Sequence, residues 1–173
     1  MKKLLFIFCM LSLTIASEGK KYPFDMKHPY NVQQERVAQD GSRLVKSWGI
    51  AGNADKAIER ALQDAVACCI FQGIGAVTST TGHNASEVPP LCPNGVDDYV
   101  AHKEYFDNFF KNGDFLMYVE NTNSRYPTGE NNVGIKGGRK VGIYVKLKVK
   151  QLRQRLEKDG IIQSFNDVWD DNK

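Results

Sequence analysis

Histidine is scarce in this chain of 173 residues, and the three present keep apart. His28, His83 and His102 fall in a polar leader, a loop and a helical stretch, with no ligand spacing among them. A zinc site needs about four convergent ligands, so no metal residues are assigned. Glycine-rich phosphate loops are missing too. Gly137-Gly138 reads as a turn, because no strand leads through it into a helix with a following lysine. No catalytic signature is present. Cys92 with His83 or His102 has no local motif around it, and a structural cysteine is the better reading. No catalytic or cofactor-binding residue is assigned, no cofactor is expected, and the chain reads as non-enzymatic.

Long apolar runs are lacking as well. The only candidate, Leu4–Leu13, falls far short of the roughly 20 residues that cross a bilayer. With Lys2-Lys3 before it and Thr14-Ile15-Ala16 after it, residues 1–16 read as a secretory signal peptide. The mature chain is therefore expected to have no transmembrane span. Setting 1–16 aside removes two lysines and no acid, so the formal charge falls from +3 to +1. That near-neutral balance gives no argument for a nucleic-acid partner. Export implies a periplasmic or outer-membrane-associated location, or an extracellular one.

Cysteine is sparse. Cys9 lies in the apolar run without the small residues of a lipoprotein processing site, leaving Cys68, Cys69 and Cys92. An oxidising compartment permits one bridge. Neighbours on a helix diverge by roughly 100°, so Cys92 with Cys68 or Cys69 is the candidate disulfide. Three buried thiols is the equal alternative.

What is present is a strong helix. From Asn53 to Gly73, Ile58, Ala61, Leu62, Ala65, Val66, Cys69 and Ile70 share one face. Asp55, Lys56, Glu59, Arg60, Gln63 and Asp64 cover the other. Asn53 is placed to cap it and Gly73 to end it. Ala57, Ala61 and Ala65 form a small-residue row suited to close packing. Residues 17–40 read as an irregular leader, with a helical turn near Val32–Ala38. Residues 41–51 read as a strand with Leu44, Lys46, Trp48 and Ile50 on one side and Val45 and Ser47 on the other. Residues 74–80 leave strand and loop both open, and 79–95 are loop. Asn84-Ala85-Ser86 matches a glycosylation tripeptide of little weight. Residues 97–112 read as one helix, capped by Asp97 or Asp98. Its aromatic stripe favours core, but Tyr99 and Tyr105 are kept as candidate ligand contacts.

Residues 114–121 read as a strand, and 122–138 as irregular. Val141, Ile143, Val145, Leu147 and Val149 then alternate with Lys140, Tyr144, Lys146, Lys148 and Lys150, the mark of a sheet with one dry face. The lysine row could meet an anionic surface, or be solvated edge protection. A helix with Leu152 and Leu156 closes at Gly160. The tail 161–173 holds Phe165 and Trp169. Together these predict one α+β domain over 41–160. Its antiparallel sheet of three to four strands carries the long Ala-rich helix on one face, in the order β-α-(α)-β-β-α.

Gly49, Ala57, Ala61 and Asp64-Ala65, with a late strand Val141–Val149 running into Leu152 and Leu156, resemble the small α+β domain that begins flagellar assembly protein T and related outer-membrane lipoproteins. Ala67–Gly73, Pro90–Cys92 and Tyr105–Gly113 also resemble uncharacterised exported bacterial proteins. The resemblance covers about residues 41–160 and brings no catalytic residues. It implies an envelope accessory or assembly role, with other envelope proteins or further copies of the chain as partners. A small-ligand or glycan binder using aromatic residues is the alternative.

Overall fold

The computed structural model describes residues 30–78 and 84–164. The signal peptide, Cys9, His28, His83, Phe165 and Trp169 lie outside the described residues.

Two strands open the fold, β1 (Asn31–Val37) and β2 (Arg43–Ala51), followed by α1 (Ala54–Phe71). Two short helices come next, α2 (Val96–Ala101) and α3 (Lys103–Lys111). Then come β3 (Val119–Asn121), β4 (Asn132–Ile135), β5 (Gly138–Leu147) and α4 (Val149–Lys158). The five strands form one antiparallel sheet in the order β1-β2-β5-β3, with β4 also on β5. The α+β class, the antiparallel sheet and the helix packed on it match the sequence pattern.

Several local readings are corrected. The leader is not irregular throughout, since Asn31–Val37 is an edge strand and not a helical turn. Residues Asp114–Tyr118 form a 3-10 turn and only Val119–Asn121 is strand. Phe115 and Tyr118 are buried there because a three-residue repeat brings them to one side. The supposedly irregular 122–138 contains β4, joined to β5 by a tight turn in which Gly137 has φ 83°. The helix over 97–112 breaks at His102, whose φ of −118° and ψ of 31° end α2 and start α3. Neither Asp97 nor Asp98 caps it: Gly95 holds the N-cap position without a side-chain bond, and Asp98, inside α2, accepts from the Asn94 backbone N–H at 2.9 Å. Val149 opens α4 and does not extend β5. Ile74 and Val77 make single antiparallel bridges to Val88 and Ala85.

The core lies between the sheet and α1. Val141, Ile143, Val145 and Leu147 of β5 and Val45 of β2 are fully buried beneath it, as are Ala57, Ala61 and Ala65 on the helix. The approach is close enough for side chain to meet backbone. Ser47 Oγ donates to the Ala61 carbonyl at 2.7 Å. A Cβ added at Gly49 would lie 2.0 Å from the Ala57 carbonyl oxygen. Asn53 caps the helix, its side-chain oxygen accepting from Lys56 N at 2.9 Å. Gly73, at φ 76°, ends it by donating to the Cys68 carbonyl.

From Asp64 to Phe71 the helix is buried on every side. Its second side lies under residues 91–92, which hydrogen-bond the carbonyls of Cys69 and Ile70. An aromatic layer adds to this cover, with Phe71 meeting Phe106 edge-on at 4.8 Å. Gln63 and Asp64, which the helical pattern puts on the wet side, are buried as well. The disulfide expected between Cys92 and Cys68 or Cys69 is not made: all three are free, buried thiols.

Candidate functional site

Helix α1 covers one face of the sheet, and among the described residues no helix packs on the other, bare face. Strand alternation decides what that bare face shows. In β2 it presents Leu44, Lys46, Trp48 and Ile50, as the sequence pattern implied. The β2–β5 register sets Lys46 opposite Tyr144, Trp48 opposite Gly142 and Ile50 opposite Lys140. β4 adds Val133 beside Lys140. Ile50, Val133 and Tyr144 are each more than two-fifths exposed. They form a patch across three neighbouring strands, not scattered single residues.

Trp48 is the centre of this patch. It lies against the Gly142 backbone, where a Cβ would fall 2.7 Å from the ring. A glycine inside a strand marks such a close approach. Lys46 and Lys140 each place Nζ 4.9 Å from the indole centroid, and Lys46 Nζ also lies 5.4 Å from the Tyr144 ring. The ring quadrupole attracts both cations. Farther along the face the charges are paired. Lys146 bonds Asp40 at 2.7 Å, and that bond holds the Asp40 carboxyl down to about 2.

A trough of about 600 Å³ adjoins the patch. β3 and β4 lie end to end along β5, and the chain between them leaves the sheet and forms one wall. Side-chain bonds pin this loop, among them the following. Asn123 Oδ1 accepts from Tyr144 N at 2.7 Å, Asn132 Nδ2 donates to the Pro127 carbonyl at 3.0 Å, and the Tyr126 hydroxyl donates to Asp55 at 3.0 Å. A bulge in β1 between Gln34 and Arg36 supplies the facing wall, with Glu35 and Arg36 both lining the trough. Asn131 carries a buried side-chain oxygen in the loop wall with no hydrogen-bond partner among the described residues.

The residues singled out from the sequence are elsewhere. The Tyr99 hydroxyl donates to Asp107 at 2.6 Å, and its ring meets Phe71 edge-on. The Tyr105 hydroxyl donates to Asp159 at 2.7 Å, and its ring packs on Phe106 and Phe109. Burial and the neighbouring carboxylates raise both phenols. Both tyrosines belong to the aromatic layer, and neither lines the trough. Cys68, Cys69 and Cys92 are pushed up to about 12, chiefly by burial, which leaves them poor nucleophiles. His102 is the hinge between α2 and α3. Among the described residues no three His, Cys, Asp or Glu side chains converge to hold a metal ion, and no helix is long and apolar enough to cross a membrane.

Trp48, Lys46 and Tyr144 had a sequence signal, since alternation already put Lys46 and Trp48 on one side of their strand. Their meeting with Lys140 depends on a register between strands far apart in the chain. Comparison with known proteins finds no matching family model, no matching curated protein and no matching solved structure.

Proposed function

We propose that the protein is a non-enzymatic, exported accessory of the cell envelope that works by binding another protein through the bare face of its sheet. One observation carries this reading: a sheet face, uncovered among the described residues, with Ile50, Val133, Tyr144 and Trp48 in one patch. Aromatic and aliphatic anchors of this kind dominate protein interfaces. The resemblance to an envelope assembly domain points the same way, and export rests on the Lys2-Lys3 and Leu4–Leu13 pattern. Mass spectrometry of the mature protein should find its first residue between about 17 and 20; an intact Met1 would remove the compartment.

The binding surface is tested by comparing capture from envelope extracts by the wild type and by variants. Ile50→Asp and Tyr144→Ala should each lose a partner that wild type and Val100→Asp retain, with a loss of about tenfold or more. Val100 is an exposed residue of α2. A partner kept equally by Ile50→Asp and Tyr144→Ala would refute the reading.

A small-ligand or glycan reading has one observation in its favour, the trough. Its volume suits a small-ligand site, typically about 300–1,000 Å³, and polar side chains such as Thr122, Asn123 and Ser124 line it. That reading shifts the contact residues from Tyr99 and Tyr105 to Tyr144 and Tyr126.

A further inference from the structure

We infer that the Lys46–Trp48–Lys140 cluster is an anion-recognition site, and that its occupant is an acidic segment of a partner protein in which carboxylates alternate with apolar side chains. This rests on the bare sheet face being the binding surface, and it names what that surface selects.

The first observation is the lack of compensation. Lys46 and Lys140 hold their ammonium groups 4.9 Å from one indole centroid, so the two lie at most twice that distance apart. Every register partner of the cluster is neutral: Gln33 and Tyr144 beside Lys46, Asn31 and Gly142 beside Trp48, Ile50 and Val133 beside Lys140. Neither lysine makes a salt bridge among the described residues, whereas Lys146 on the same face is matched by Asp40. Two uncompensated cations repel each other. A carboxylate arriving between them relieves that repulsion and gains charge-assisted hydrogen bonds.

The neighbours decide which anion fits. Lys140 sits between Ile50 and Val133, both exposed aliphatic side chains. A sugar ring gains little from them, while a peptide with apolar side chains next to its carboxylates buries them and pairs the lysines together. The indole lies on Gly142 with both ammonium groups already beside it, an arrangement that lowers the ordering cost of binding.

Fluorescence anisotropy with a labelled short peptide alternating aspartate and valine tests the assignment. Its counterpart with asparagine for aspartate and a polygalacturonate oligomer serve as comparison probes. The acidic peptide should bind the wild-type protein, more weakly as salt rises. Lys46→Gln with Lys140→Gln should reduce its affinity by about tenfold or more. The Lys46→Arg, Lys140→Arg pair should retain it. An unchanged unfolding midpoint shows that the glutamine variant is folded. Equal affinity for the asparagine peptide would overturn the anion site and leave the apolar binding face standing. Tighter binding of the oligosaccharide, lost with the same glutamine pair, would overturn the peptide assignment in favour of an anionic glycan. Absence of binding by all three probes would also overturn it.

Discussion

Asp64 shows how one residue escapes a helical pattern. Its position on α1 is wet by periodicity, yet it is 1% exposed. Burial raises its carboxyl to about 6, against the opposing pull of Arg60, whose Nε lies 2.8 Å away. A carboxyl raised in this way takes up a proton on folding between its unfolded value of 3.8 and its folded value. Its folded form is therefore favoured at low pH and disfavoured as pH climbs through about 6. A shift of this size corresponds to about 3 kcal/mol between about pH 4 and pH 7. Asp64→Asn should remove this component, so that urea unfolding falls less steeply over that range than in wild type. Identical pH profiles would mean that Asp64 is ionised in the fold throughout. Trp48 is the contrasting case. Its side of the strand was legible from alternation alone, because both its neighbours on that side, Lys46 and Ile50, belong on a wet or half-wet face.

At the scale of elements, the contact between α1 and β2 was written in the sequence as Ala57, Ala61, Ala65 and Gly49. Small residues at helical spacing facing a glycine in a strand leave space only for backbone. Gly49→Ala would drive a methyl group into the Ala57 carbonyl, and Ala61→Leu would press on a position with no exposed surface. Each should cost about 1–3 kcal/mol in urea denaturation. Lys146→Ala should leave the urea midpoint nearly unchanged, since its partner Asp40 is more than half exposed. A silent Ala61→Leu would put the wrong helix face against the sheet. Elements with weak patterns were not legible. β1 is an edge strand whose inward positions include the polar Gln34, held there by a 2.9 Å bond to the Ser86 carbonyl. Its alternation is too mixed to show a strand. β4 is four residues with one half-buried and three exposed, and it exists because β5 offers a partner. The break at His102 lies inside a stretch whose aromatic spacing reads equally well as one helix.

At the scale of the molecule, the two faces of the sheet divide the work. The inner face and α1 supply the apolar core, and the outer face carries the patch proposed to bind a partner. The long reach from β2 to β5 is what joins Lys46 to Lys140, and no local window of sequence contains that pairing. The same long-range closure explains the cysteines. Adjacent Cys68 and Cys69 and distant Cys92 could be read from sequence as a bridge or as three thiols. The fold places each in the core, with Cys69 fully buried and the Cys68 thiol donating to the Gly73 carbonyl at 3.1 Å. In the oxidising compartment proposed for the protein, such thiols would be guarded by burial and by the scarcity of thiolate when the pKa is about 12. Thiol reagents should then leave all three unmodified in native buffer and modify them together in urea, because access requires opening of the core rather than local fraying. The labelling rate should rise in Gly49→Ala, which loosens that core, and stay unchanged in Lys46→Gln with Lys140→Gln on the other face. Peptide mapping without reductant should recover Cys68, Cys69 and Cys92 as free thiols. Recovery of Cys92 joined to Cys68 or Cys69, or rapid labelling of any of the three in native buffer, would show that the core around the end of α1 is open to solvent and oxidant.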